Sequence, residues 1–191
     1  MDICFPDKNE EEFIAIAKKL SIKELYFIYP FSKNPKQQKS KIEASQKQTK
    51  IKLNFGILAK QQEITKAKKL SKFVITGSSP KDQYVIEKLQ PSLIFNFEKQ
   101  ERKDKFHYRT SGLNQVLCKL AKQNKVIIGF SFSEILNSKK RKILLGRIAQ
   151  NLKFCKQYST HFLFASFASS PFELRPKKHL KSVEKVLQKQ I

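Results

Sequence analysis

The chain has 191 residues, with 39 Lys and Arg against 16 Asp and Glu and a formal net charge of +23. A hydrophobic share of 40% excludes a wholly disordered chain, and 5 Gly with 7 Pro exclude a collagen or a linker. No apolar run approaches the ~20 residues that span a bilayer, and the acidic start lacks the basic region of a signal peptide. These features predict one soluble, cytoplasmic domain over residues 1–191, with no membrane partner.

Short runs rich in Ile, Val, Leu and Phe alternate with stretches of helical period. The first run, Asp2–Phe5, reads as a strand. Asn9 and Glu12 then have the spacing of a capping box, and Glu10 and Glu11 suit the positive end of a helix. Phe13, Ile16, Ala17 and Leu20 share one face of that helix. After a second strand at Glu24–Tyr29 comes the odd segment 31–50. It carries six Lys and four Gln and, after Phe31, only Ile42 and Ala44 as apolar side chains besides Pro35, and reads as a basic polar insert or a solvated helix from Pro35.

Further strands are expected at Ile51–Leu58, Lys72–Thr76, Leu93–Phe97, Val126–Phe132 and Phe162–Phe167. Helical faces recur at Leu113, Val116, Leu117, Leu120 and Ala121, and again at Leu145, Ile148, Ala149, Leu152 and Cys155. Pro176 is placed to open a last helix that turns Leu180, Val183, Leu187 and Ile191 inward. Strand–helix alternation with both strand faces apolar predicts an α/β fold with right-handed crossovers. The length falls just short of the ~200-residue floor of a (β/α)8 barrel. A compact, incomplete TIM-like barrel is the first expectation, and an open doubly wound sheet the second.

The charge runs the whole length of the chain rather than sitting in a tail. Lys in preference to Arg is what an A+T-rich genome produces, but that drift does not explain the scarcity of Glu. A surface so charged repels itself until a polyanion neutralises it, which points to nucleic acid and, more weakly, to an anionic membrane surface. Cys4, Cys118 and Cys155 are odd in number and widely spaced, so they form neither a metal pair nor a disulfide framework and are read as structural.

Catalytic motifs are missing. The sequence has no Gly-rich phosphate loop, no HExxH, no GxSxG and no HxH after the first strand. His107, His161 and His179 lie on different elements without acidic neighbours. Of the four Asp, only Asp2 falls on a strand, at its N-terminal end and so away from the catalytic mouth of a barrel. The serines that follow the strands suit helix caps better than nucleophiles, having no base beside them. The chain is therefore expected to hold no catalytic residue, metal or cofactor of its own.

The positive signal is basic. Lys139, Lys140, Arg141 and Lys142 open a helix after an Asn137–Ser138 cap, and Arg147 and Lys153 continue off its apolar stripe, on the solvent side. Arg102, Lys103, Lys105, His107, Tyr108 and Arg109 mix cations with aromatics. Arg175, Lys177, Lys178 and Lys181 form a third cluster, and Lys33, Lys36 and Lys39 belong to the insert. One such run reads as a solvated face; together they predict phosphate binding. The scarce Arg102, Arg109 and Arg175 stand out, because a guanidinium fork grips phosphate bidentately or stacks on an unpaired base.

The C-terminal half resembles a known family. Ser111–Leu117, Val126–Leu136, Arg147–Lys156 and Ala168–Pro176 follow in order and spacing the motifs of archaeal ribonuclease P protein component 3, over roughly residues 109–185. The resemblance implies a barrel related to the polymerase-and-histidinol-phosphatase superfamily without its metal site. It implies a non-catalytic subunit of an endoribonuclease, whose RNA, with bound Mg²⁺, removes the 5′ leader of precursor tRNA. The implied partners are that RNA, the precursor tRNA, protein component 2 in a heterodimer or heterotetramer, and the other archaeal ribonuclease P proteins. Arg175 matches a family position expected to contact RNA or sustain activity, and Arg109 lies near another. Asn114, Gln115, Ser131 and Glu134 are motif positions without an assigned role; Gln115 stands where the family usually has His. Two other readings remain open: a divergent metal-dependent phosphoesterase on the same barrel, and a generic basic RNA-binding barrel.

Overall fold

The computed structural model describes residues 1–99, 104 and 109–189, and in it the seven apolar runs become seven parallel strands of one sheet. They are β1 (Asp2–Cys4), β2 (Glu24–Pro30), β3 (Lys52–Leu58), β4 (Val74–Gly77), β5 (Leu93–Phe95), β6 (Ile127–Ser131) and β7 (Phe162–Ala165). Each pairs with the next in chain order, which is barrel topology and not that of a doubly wound sheet. Outside lie α1 (Glu10–Lys19), α2 (Lys36–Lys47), α3 (Ile64–Leu70), α4 (Asp82–Tyr84, continued by a π-helical turn Val85–Leu89), α5 (Gln115–Gln123), α6 (Phe132–Asn137), α7 (Arg141–Gln157) and α8 (Lys177–Lys189). The result is a nearly closed, TIM-like barrel built on seven strands.

Closure is made by very few groups. β1 meets the chain beyond β7 through a parallel bridge, Cys4 to Ala168, with Phe5 N–H donating to the Ala168 carbonyl at 2.8 Å and Ala168 N–H to that of Ile3 at 3.1 Å. Asp2 completes the seam. Its Oδ1 accepts the N–H of Ser166 at 2.7 Å and that of Ile3 at 2.9 Å, and its Oδ2 accepts the Ser166 hydroxyl at 2.7 Å. Burial raises the carboxyl above the ordinary Asp value, against the lowering effect of those donors. The one strand Asp thus fastens the first strand to the last.

Phenylalanine fills the barrel. Phe73 and Tyr26 meet near the N-terminal mouth with ring centroids 4.5 Å apart. At the other mouth Phe5, Phe95 and Phe167 form a three-ring plug, at 6.1, 6.4 and 5.2 Å between centroids. The plug needs space from the strands beside it. A Cβ on Gly129 of β6 would come within 3.0 Å of Leu93, Phe95 and Phe167, so only glycine fits there.

Other details follow or depart from the pattern in the sequence. The insert forms α2 directly after Pro35, and it buries Ile42 alone. Asn9 makes no side-chain cap to α1; its Oδ1 instead accepts the N–H of Asp7 at 2.9 Å, so the capping box does not form. The run expected to continue as strand to Phe132 turns into α6 at that residue, because Ser131 Oγ caps it by accepting Glu134 N–H at 3.2 Å. Cys4, Cys118 and Cys155 are free and buried.

Removing the seam tests its weight. Asp2→Ala leaves the buried Ser166 N–H and hydroxyl without their acceptor and is expected to lower stability by about 2–4 kcal/mol. Asp2→Asn, which keeps a carbonyl oxygen at the Oδ1 position, should lose much less. Urea unfolding of the three proteins checks the order.

Candidate nucleic-acid interface

The long connection between β5 and α5 is held at its root by α7. Arg147 and Asn151, one turn apart, sit inside the buried stripe formed by Leu144, Ile148, Leu152 and Cys155. Arg147 Nε donates to Asp104 Oδ1 at 2.8 Å, and Nη1 to the Glu98 carbonyl at 2.9 Å. Asn151 Nδ2 donates to the Ser111 carbonyl at 2.7 Å. Thr110 N–H meets the same Asp104 oxygen at 3.0 Å. The two arms of the connection touch at Gly112: its φ is +87°, and a Cβ there would lie 2.1 Å from the Phe97 carbonyl oxygen. Arg147, expected on the solvent face, is 3% exposed and holds the connection in place.

Glu98 lies beneath this root. It is 1% exposed, and among the described residues no other residue donates a hydrogen bond to its carboxylate oxygens. Burial pushes its pKa up to about 7, and the negative charge of Glu134 adds to that, while its own backbone N–H and the charges of Lys99 and Arg147 oppose it.

The motif positions of undefined role turn out to build local structure. Asn114 caps α5 by accepting Leu117 N–H at 2.9 Å, and Gln115 is the exposed first residue of that helix. Ser131 caps α6, and Glu134 takes Lys99 Nζ on both oxygens at 2.9 Å. Next to them Glu173 gathers Ser133 Oγ at 2.7 Å, Asn137 Nδ2 at 2.8 Å and Ser169 N–H at 2.8 Å. Burial raises this carboxyl, but the donors outweigh it and hold its pKa below the ordinary Glu value.

The expected RNA-binding residues fall in several places. Arg175 donates through Nη1 to the carbonyls of Phe172 at 2.7 Å and Leu174 at 2.8 Å, and its guanidinium lies 5.6 Å over the Phe132 ring. Among the described residues no hydrogen-bond partner is seen for its Nε or Nη2. Arg109 is exposed and lies flat on α7, where Gly146 makes room for it: a Cβ there would sit 3.0 Å from the guanidinium carbon. Arg141 is turned back into the protein, donating to the carbonyls of Ile135 at 2.8 Å and Leu136 at 2.7 Å at the end of α6. Lys139, Lys140 and Lys142 beside it are exposed, as are Lys177 and Lys178 on the first turn of α8 and Lys33 and Lys36 near the start of α2. Arg102 and Lys103, with Lys105, His107 and Tyr108, lie outside the described residues.

Lys39 is half-buried, and here the structure assembles a group that the sequence reading missed. Lys39 from α2 comes together with Lys68, Lys69 and Lys72 from α3 and its exit, along a groove that Tyr26, Phe55 and Phe73 also line. The signal was present as four lysines in the seven residues 66–72, but period alone does not show that α2 brings a fifth to them.

Fold and site together define a TIM-like barrel with a plugged catalytic mouth and a strongly basic outer surface. Among the described residues no three His, Cys, Asp or Glu side chains converge on a common point. The fold is that of a chain in the cryo-EM structure of archaeal ribonuclease P with mature tRNA. The TM-score is 0.82, at 20% sequence identity, over 98% of this chain and 82% of that one. By sequence, the chain is 41% identical over 69 residues to ribonuclease P protein component 3 of Methanosarcina acetivorans. It is 36% and 38% identical over the same length to the proteins of that name from Methanosarcina mazei and Methanosarcina barkeri. Each match covers 35% of this chain, which thereby spans 29% of the length of each curated relative. No family model matches the chain.

Glu98 makes stability depend on pH with a definite sign. Its raised pKa means that folding favours the neutral acid, so the stabilisation is complete below the ordinary Glu value and is lost as pH rises through about 7. From about pH 5 to about pH 8 the loss should be about 2–3 kcal/mol, and Glu98→Gln should abolish it. Denaturant titrations of both proteins across that range are the check.

Proposed function

We propose that this chain is a protein subunit of ribonuclease P. The observation that carries the reading is the 69-residue stretch 41% identical to a ribonuclease P protein component 3; a barrel followed over 98% of the chain supports it. In this reading the chain contributes no catalytic group. The RNA, with its Mg²⁺, cleaves the 5′ leader from precursor tRNA, and the barrel lets the RNA fold at a lower ion concentration. Protein component 2 is its partner, in a heterodimer or heterotetramer, and the assembly works in the cytoplasm.

The mechanism is neutralisation. RNA helices repel one another through their phosphates, and each Lys or Arg placed between them displaces condensed counterions. A formal charge of +23 on a chain of 191 residues provides a large reserve for this. Lysines act as point charges tolerant of geometry, whereas Arg109 and Arg175 offer the planar fork for a fixed phosphate or base.

Reconstitution tests the reading: cleavage of precursor tRNA by an archaeal ribonuclease P RNA with component 2, across a Mg²⁺ titration, with and without this chain. The expected result is cleavage at lower Mg²⁺. RNA binding with no effect on cleavage assigns the barrel to a different RNA, and phosphoester hydrolysis by the chain alone restores the metal-enzyme reading. Arg175→Ala should weaken RNA-dependent function by about 1–3 kcal/mol. The log–log salt dependence of RNA binding should have a slope of about −0.7 to −0.9 per phosphate neutralised, summed over at least about two phosphates.

A further inference from the structure

We propose that the groove between α2, α3 and the start of β4 is a site for single-stranded RNA, holding phosphates on Lys68, Lys69 and Lys72 and an unpaired base against Tyr26 and Phe73. The proposal rests on the RNA-binding reading above and assigns it a location.

Strand register opens the groove. β2 and β3 pair from Glu24 and Lys52 onward, but β4 joins β3 only at Ile57 and Val74. The first half of β3 therefore runs past β4 and leaves a gap in the wall at the N-terminal end of the barrel. The chain leaving α3 skirts that gap, where the Ser71 hydroxyl lies 3.4 Å from the Phe55 carbonyl and 3.2 Å from that of Phe73. The space is an open cleft of about 650 Å³, enough for a nucleotide with its flanking phosphates to lie along it.

Its chemistry is one-sided. Lys39 forms the wall: its Nζ donates to the Leu70 carbonyl at 2.8 Å and stands 5.4 Å above the Phe55 ring. Lys68 is steadied by the Leu89 carbonyl at 3.1 Å and has two more protons to offer, and Lys69 and Lys72 are exposed. No carboxylate lines the groove among the described residues. Glu24, which bonds the lining residue Asn54, is already neutralised by Lys52 at 2.9 Å. Lysines thus outnumber the nearest carboxylate in and around the groove.

The aromatic floor selects the form of RNA. Tyr26 and Phe73 are half-buried, and their pairing at 4.5 Å presents ring surface beside the lysines. A base within a duplex has both faces covered by its neighbours, while an unpaired base has a face free to stack. Lysines alone hold either form; lysines next to an open ring favour the single strand. With no Arg and few fixed polar groups in the lining, the site reads backbone and stacking rather than base identity.

The test uses the full chain and two fluorescein-labelled probes, a short uridine oligoribonucleotide and a short RNA duplex, read by anisotropy. Lys68→Ala/Lys69→Ala/Lys72→Ala should weaken the single strand by about ten- to a hundredfold, while Lys18→Ala/Lys19→Ala on α1 changes it less than about threefold. Tyr26→Leu should weaken the single strand about fivefold or more and leave the duplex unchanged. Because Tyr26→Leu disturbs packing, crosslinking of a 4-thiouridine oligonucleotide to the unmodified chain provides a second readout, expected on peptides containing Tyr26 or Phe73. Unchanged single-strand binding by the triple variant, equal losses of single strand and duplex for Tyr26→Leu, or crosslinks confined to other peptides overturn the proposal. If the chain fails in reconstitution but the oligonucleotide still requires these lysines, the subunit reading falls and the groove stands. If reconstitution succeeds and the triple variant binds the oligonucleotide like its parent, the groove alone falls.

Discussion

Closure of the barrel rests on Asp2, because β1 is three residues long and its backbone reaches the far side of the sheet through little more than the Cys4–Ala168 bridge. Three residues supply too few ladder bonds to hold a first strand against the last. The carboxylate adds three further acceptor contacts at the same place, two of them to Ser166. Ser166 passes the constraint on, since its Oγ accepts the N–H of Arg175 at 3.0 Å and so anchors the segment that leads to α8. One side chain thus fixes the seam, the exit of β7 and the backbone of an expected RNA contact.

Among the described residues, the carboxylates that follow the strands are either buried, as Glu98 is, or taken up by neighbouring donors, and the catalytic mouth is filled. Seven strands enclose a narrow interior, and Phe5, Phe95 and Phe167 fill its C-terminal end. Polar groups that follow the strands point sideways into caps: Ser131 to α6, Asp82 to Ser78 and Ser79, Glu173 to the turn before Pro171. The basic side chains instead stand on the outer layer. There α7 acts as a beam, with Arg147 and Asn151 holding out the connection that carries Arg109.

What was legible in the sequence follows from what burial imposes on residue choice. Parallel strands covered on both faces need continuous apolar runs, so all seven could be read to within a few residues. Pro35 marked the start of α2 because its ring cannot follow a helical turn. The failures are of another kind. Phe132 fits a strand by composition, but Ser131 and Glu134 form a cap there that overrides propensity. Arg147 looked solvent-facing because charge suggests water, although its spacing from Leu144, Ile148 and Asn151 put it in the buried stripe. The lysines of α2 and α3 are brought together by the short ladder between β3 and β4, and register of that kind leaves no mark in composition.

The exposed excess of positive charge has a structural cause beyond an abundance of Lys. The acidic residues are few, and the fold uses many of them on its own donors. Asp2 takes the seam, Asp82 the turn after β4, Asp104 the side chain of Arg147, and Glu63 the backbone N–H of Lys60 at 2.8 Å. Glu98 is buried, and Glu173 faces Ser133 and Asn137. A carboxylate saturated by backbone and hydroxyl donors cancels little of the field of a lysine on the far side of a helix, because water and salt screen that distance. Exposed pairs such as Lys88 with Glu87 offset single charges only. Apart from the acidic turn of Asp7, Glu10, Glu11 and Glu12 at the start of α1, exposed lysines outnumber exposed acids, and arrangement decides where that charge acts. Most lysines stand alone on solvated helices and attract any polyanion weakly. Where backbone geometry converges several on an aromatic surface with no acid among them, diffuse attraction becomes a site.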